Sequence, residues 1–136
     1  MQANELRIGN YVTHGNEKLC KVISIENDKA ELSYDGESNG ISWHYFKKVH
    51  PFIEPIPLTE EWLVKFGFEK KEDLNSKDYP FAHSIFTKSS KSRLCNEFKI
   101  GANQNGFHFY SMVYINYIHQ LQNLYFALTG EELEIK

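Results

Sequence analysis

Six histidines and two cysteines have the widest chemical range in this chain, and their spacing limits what they can do. His14, His44, His50, His83, His108 and His119 show neither HxxxH nor HxH spacing and have no paired cysteine beside them. Zinc sites usually leave such a pattern, so neither a metal nor a cofactor is expected. Cys20 and Cys95 lack CxxC spacing and are too few for a disulfide framework in 136 residues, so both read as reduced thiols. A Cys–His nucleophile would need a thiol pKa lowered by a base or a helix N-terminus. Both cysteines instead fall in strand-like runs. Glu131, Glu132 and Glu134 cluster at the chain end and read as a solvated tail, and Gly101 and Gly106 flank a hairpin rather than a phosphate loop. No catalytic residue is assigned.

Three other groups could bind rather than react. In "KSSKSR", Lys88, Lys91 and Arg93 could hold one phosphate, although a solvated turn suits the acidic balance of the chain better. In "SWHYFKK", Trp43 and Tyr45 share one face of a strand and His44 and Phe46 the other; one pair fills a core, and Trp43 with Tyr45 is a candidate interaction surface. In "YIHQLQNLYFALTG", His119, Gln122, Asn123 and Phe126 form a stripe at i, i+3, i+4 and i+7, inside a stretch from Ile100 to Gly130 without one Lys, Arg, Asp or Glu. An exposed helix face normally carries charge, whereas a face at an interface sheds it. Amide and imidazole groups can bond buried backbone without the desolvation cost of an ion. The stripe is therefore expected to bond strand or loop backbone across a lobe or subunit interface, with an external partner site as the alternative.

The elements that must position these residues follow from the pattern. "RIGNYVTH", "KLCKVISIEN", "AELSYD" and "ISWHYFKKV" are short strand-like runs joined by Gly, Asn-Gly and Asp-Gly turns, which predicts a small SH3-like β-barrel lobe over 1–56. Pro51, Pro55 and Pro57 impose an extended linker. Thr59 predicts an N-cap, Glu60 and Glu61 suit the positive end of a helix dipole, and Gly67 ends a short helix over 59–66. Leu58 and Leu63 have the spacing of a hydrophobic staple. Residues Glu69 to Asp78 read as a loop. "PFAHSIFTK", "RLCNEFKIGA" and "GFHFYSMVY" then read as antiparallel strands, with Leu94, Asn96, Phe98 and Ile100 inward and Cys95 outward. A type I′ turn is expected at Asn105-Gly106. A C-terminal helix from about Asn116 to Thr129, closed by Gly130, packs through Ile118, Leu121, Leu124, Tyr125 and Leu128. The fold class is α+β, with 57–136 as the second lobe.

A net charge of −3 argues against broad nucleic-acid binding, which draws on Lys and Arg. The start "MQANELRIGN" has neither the basic residues nor the apolar run of a signal peptide, and no segment approaches the roughly 18 apolar residues of a membrane span. A cytoplasmic protein without a membrane partner is expected.

Three stretches, "LRIGNYV", "PIPLTEEWLVKFGF" and "YIHQLQNLYFALTGEELEI", resemble a family of small proteins encoded by gut Bacteroidetes and their phages and mobile elements. The resemblance implies a bacterial cytoplasmic setting and carries no catalytic residue or ligand with it. The preferred reading is a non-catalytic protein-interaction module, an accessory factor of a phage or mobile element, whose partner is a protein or a second copy of the chain. The alternatives are a nucleic-acid-binding accessory protein and a small enzyme with a Cys/His or carboxylate site.

Overall fold

The computed structural model describes residues 3–15, 18–34, 41–45, 53–71, 79, 82–110 and 113–135, with the backbone alone at 3, 18 and 41–45. The chain divides into two compact units, Met1–Ile56 with Ile118–Asn123, and Pro57–Tyr117 with Leu124–Lys136. Among the described residues no helix is long and apolar enough to cross a membrane.

The first unit is an antiparallel meander. Strands β1 (Tyr11–His14), β2 (Lys18–Ile25), β3 (Lys29–Tyr34) and β4 (Ile41–Tyr45) pair in sequence, and β5 (Ile53–Glu54) returns to pair with β1, giving the order β4-β3-β2-β1-β5. Alternation decides which face is dry. Val12 sits across from Cys20 and Val22 across from Leu32, and these four are buried with Leu6, Ala30 and Ile53. A register shift between Val22 and Ser24 marks a bulge, which bends a strand locally. No closed barrel is found among the described residues: β4 and β5 are the two edges of an open sheet.

The second unit begins with α1 (Glu60–Lys65). The Thr59 hydroxyl accepts from the Trp62 N–H at 3.3 Å, Leu58 and Leu63 are both buried, and Gly67 at φ 88° lets the chain leave the helix. The chain then enters β6 (Glu69–Lys71), so the expected loop is a strand at its start; the rest of that loop, 72–78, lies outside the described residues. With β7 (Ser84–Ser89), β8 (Glu97–Asn103), β9 (Gly106–Phe109) and β10 (Val113–Ile115) it forms an antiparallel sheet of order β10-β9-β8-β7-β6.

Two details of this sheet differ from the sequence expectation. β8 starts at Glu97, after a turn in which Ser90 N–H bonds the Asn96 carbonyl, so Leu94 points into solvent at 95% exposure and Cys95 precedes the strand. Phe98 and Ile100 face inward as expected. The β8–β9 hairpin forms, but only Gly106 has positive φ, at 126°; Asn105 does not, and the type I′ pair is absent.

Helix α2 (Ile118–Thr129) starts two residues after the expected Asn116 cap, because the Ile118 N–H bonds the Ile56 carbonyl at 2.9 Å. Gly130 at φ 73° closes it, its N–H bonding the Phe126 carbonyl. Residues Ile118–Asn123 belong to the first unit and Leu124 onward to the second. In the second unit the Tyr125 ring meets Phe98 edge-on at 5.2 Å. The terminal segment is not a solvated tail throughout: the Glu131 carboxylate accepts from the Lys91 N–H and the Tyr125 hydroxyl, and Leu133 is fully buried.

Leu121 is fully buried and Val64 is largely exposed. Leu121→Ala is expected to cost about 2 to 5 kcal/mol, from lost burial plus a cavity. Val64→Ala should stay within about 0.5 kcal/mol. Denaturant unfolding of both variants checks the pair.

Candidate functional site

The amide stripe is placed in the first unit. Gln122 is fully buried; its Oε1 accepts from the Tyr11 N–H at 2.8 Å, and its Nε2 donates to the Gly9 carbonyl at 3.2 Å. Asn10, also fully buried, accepts from the Arg7 N–H through Oδ1 at 2.7 Å and donates through Nδ2 to Asn123 Oδ1 at 2.9 Å. Asn123 donates in turn to the Glu5 carbonyl at 3.0 Å. The turn these amides hold needs a glycine at residue 9, where φ is 99°, and it is pinned to β2 by the Gly9 N–H to Val22 carbonyl and Val22 N–H to Asn10 carbonyl bonds. Gln122 and Asn123 thus serve backbone at Glu5–Tyr11 inside this unit. His119 is buried, and its pKa lies below the usual histidine value because burial outweighs the nearby Glu5 carboxylate. Phe126, on the second-unit part of α2, is the exposed member of the stripe.

The other expected residues are not gathered into one place. The Trp43 and Tyr45 side chains lie outside the described residues; their backbone pairs with Glu31 and Lys29 of β3. Lys88 lines a polar cleft of about 210 Å³ with Gly67, Glu69, Lys71, Thr87, Ser89 and Glu97, whose two carboxylates oppose an anion. Lys91 and Arg93 are exposed on the turn before β8. Burial pushes the Cys95 thiol up, away from the thiolate a nucleophile needs. Among the described residues no group of three or more His, Cys, Asp or Glu is placed to hold a metal ion.

A different cluster stands out in the second unit. One row of cross-strand neighbours runs Lys71, Ile85, Gly101, His108, Tyr114 from β6 to β10. Gly101 leaves room for two rings: a Cβ there would stand 2.5 Å from Tyr79 Cδ1 and 2.6 Å from His108 Nε2. Tyr79 is anchored by its hydroxyl donating to the Lys99 carbonyl at 2.8 Å. Tyr110 stacks on Tyr79 at 5.3 Å and 22°, and Tyr114 meets His108 edge-on at 5.9 Å. Tyr110 holds φ at 52°, a left-handed conformation that a bulky residue adopts only when its surroundings impose it. Burial depresses the His108 pKa, and the Gly106 carbonyl opposes that shift only in part, so the imidazole is neutral at neutral pH. The outer members of the cluster remain open, with Tyr110 41%, Val113 54% and Tyr114 48% exposed.

This surface can stack on and bury uncharged groups. No family model, curated protein or solved structure matches this chain. By its residue pattern "GFHFYSMVY" is an ordinary strand, so nothing in it marks Tyr110 and Tyr114, and Tyr79 lies outside it. The available signal was the charge-free run itself, which starts at Ile100 and includes both exposed tyrosines as well as the helix.

Two outcomes follow from this geometry. Gln122→Ala and Asn10→Ala should each cost about 1 to 3 kcal/mol by stranding buried backbone partners, and the double variant should cost less than their sum because they share one network. Paired unfolding curves measure this. His119 and His108 both have folded-state pKa values below the ordinary 6.5. The unfolded chain therefore takes up protons first as pH falls, and the histidine contribution to stability should drop below about pH 6.5. In His119→Gln the slope of unfolding free energy between pH 6.5 and 5.5 should shrink; an unchanged slope would show that His119 does not contribute.

Proposed function

We propose that the chain is a non-catalytic protein-interaction module, and that the surface of Tyr110, Val113 and Tyr114 is where it meets its partner. The observation that supports this is two half-exposed tyrosines and a valine on one hairpin, within a charge-free segment. Soluble proteins scatter single exposed apolar residues, but a grouped patch marks an interaction site, and tyrosine is a common energetic anchor at such sites. The buried Tyr79 and His108 rings behind the patch fix Tyr110 and Tyr114 in place, which lowers the ordering cost of binding.

The broader setting is part of the same proposal. The order β4-β3-β2-β1-β5, with a bent β2 and a last strand returning to the first, is compatible with an SH3-like arrangement of the first unit. The resemblance of the "LRIGNYV" and "HQLQNLYFALTGEEL" stretches to proteins of gut Bacteroidetes and their mobile elements favours a cytoplasmic accessory factor of a phage or mobile element. These two stretches are also the ones that the amide bonds join, Asn10 to Gln122 and Asn123. Nucleic-acid binding draws less support, since Lys88 shares its cleft with Glu69 and Glu97.

The test is a comparison of co-purifying proteins from a host cell expressing the tagged chain or its Tyr110→Ser/Tyr114→Ser variant. A protein retained stoichiometrically by the first and lost by the second, at equal melting temperature, supports the reading. Identical profiles for both would remove it.

A further inference from the structure

We propose that Asn105 is a site of spontaneous covalent modification in the folded chain: the Gly106 main-chain nitrogen closes on the Asn105 side-chain amide to form a succinimide, which water opens to aspartate and isoaspartate. This is independent of the interaction reading above. The Asn105-Gly106 pair does not form the type I′ turn that its sequence suggests, since Gly106 has positive φ, at 126°, and Asn105 does not. Asn105 is exposed, its main-chain N–H bonds Asn103 Oδ1 at 2.8 Å, and among the described residues nothing bonds its side-chain amide. The other described asparagines are placed differently. Asn10 and Asn123 have their amides engaged in bonds and precede Tyr11 and Leu124. Asn4, Asn27 and Asn96 are exposed but precede Glu5, Asp28 and Glu97. Among the described residues Asn105 alone is followed by glycine.

The following residue matters because the attacking nitrogen carries its Cα, and a Cβ there crowds the side-chain carbonyl. Glycine has none. The surroundings of Gly106 are open as well: a Cβ at this position would meet nothing within 4 Å. In the first step solvent base takes the Gly106 N–H proton, the nitrogen bonds the Asn105 side-chain carbonyl carbon, and the bond from that carbon to the amide nitrogen breaks as ammonia leaves with a proton. Water then adds to either imide carbonyl. Breaking the new bond gives aspartate, and breaking the original main-chain bond gives isoaspartate; each opening leaves a carboxylate and releases a proton. Nothing is oxidised or reduced, and water is the only co-reactant. The fold sets the rate, because Asn103 pairs with Gly106 as the last rung of the β8–β9 hairpin. The ring closes when that rung opens, which the end of a ladder does without unfolding the core. The product adds one negative charge to a chain of net charge −3, inside the run from Ile100 to Gly130 that otherwise has no charge. Isoaspartate also lengthens the main chain at the turn by one carbon and so disrupts the rung itself.

The experiment holds the full chain in mildly alkaline buffer prepared with heavy-oxygen water, then digests it in ordinary water, so that conversion during digestion carries no label. Mass spectrometry follows the peptide that contains residue 105. Expected are labelled aspartate and isoaspartate at that position, forming faster as pH rises, with Asn10 and Asn123 remaining amides. In Asn105→Gln the labelled product at 105 is lost over the same time, because its ring would be larger and slower to form. Urea added below the unfolding transition should leave the rate at Asn105 nearly unchanged, as a local opening exposes little surface. A rate that follows the unfolded fraction instead would overturn the folded turn as the site. So would an Asn105 that stays unlabelled in the folded chain while the chain unfolded in urea converts completely.

Discussion

Three side-chain amides organise the first unit. Asn10, Gln122 and Asn123 bond one another and the backbone of Glu5, Arg7, Gly9 and Tyr11, so a turn with no regular ladder of its own is nevertheless satisfied. The requirement is strict because Asn10 and Gln122 are fully buried, and an unpaired backbone group there costs the full price of its desolvation. An amide can donate and accept at once, which neither a carboxylate nor an ammonium can do. That explains why this part of α2 carries Gln and Asn rather than Glu and Lys. The same bonds fix the start of β1, and through Gly9 and Asn10 they fix where β2 is gripped at Val22.

The charge-free run from Ile100 to Gly130 therefore has two physical causes rather than one. On the inner face of α2 the absence of charge follows from burial: Ile118, His119, Leu121, Gln122 and Tyr125 all have little or no exposure, whereas Gln120, Phe126 and Ala127 are exposed. In β9 and β10 burial explains Ile115 and His108 but not Val113 and Tyr114, which face solvent. Strands without a lysine or glutamate lack the charges that protect an exposed edge against association. The opposite edge of the same sheet, β6, shows the protected alternative. Burial leaves the composition of this hairpin unexplained, and the association proposed above would account for it.

Much of the architecture could be read from the residues, because local chemistry and tertiary structure agree there. Thr59, Glu60, Glu61 and Gly67 specify α1 through capping and dipole effects that act within one turn. Period-two burial in β3 and at Phe98 and Ile100, and the burial of Ile118, Leu121 and Tyr125 in α2, likewise came through, while Leu124 and Leu128 are only partly buried. The failures lie where a distant partner decides. Leu94 looked like an inward strand residue until the Ser90–Asn96 bond ended the pairing before it. Glu131 looked like a free tail residue, yet it is held by Lys91 and Tyr125. Asn116 had the right side chain for a cap, but the Ile56 carbonyl supplied a backbone partner two residues later.

The tyrosine surface was invisible for a related reason. Pattern reading sorts residues into inward and outward along one strand, whereas this cluster is built across strands, on the single position, Gly101, whose missing side chain admits two rings. Tyr79 comes from a segment far from the hairpin in sequence, and Tyr110 joins it only by accepting a left-handed backbone. Strain of that kind persists when surrounding contacts over-determine it. Here the stack on Tyr79 and the edge contact with Phe109 hold the Tyr110 ring where solvent, or a partner, can reach it. A glycine in mid-strand and a strained tyrosine are each unfavourable for a strand in isolation. Here each is offset by the other's contacts: Gly101 admits the Tyr79 ring, and Tyr79 in turn stacks on Tyr110.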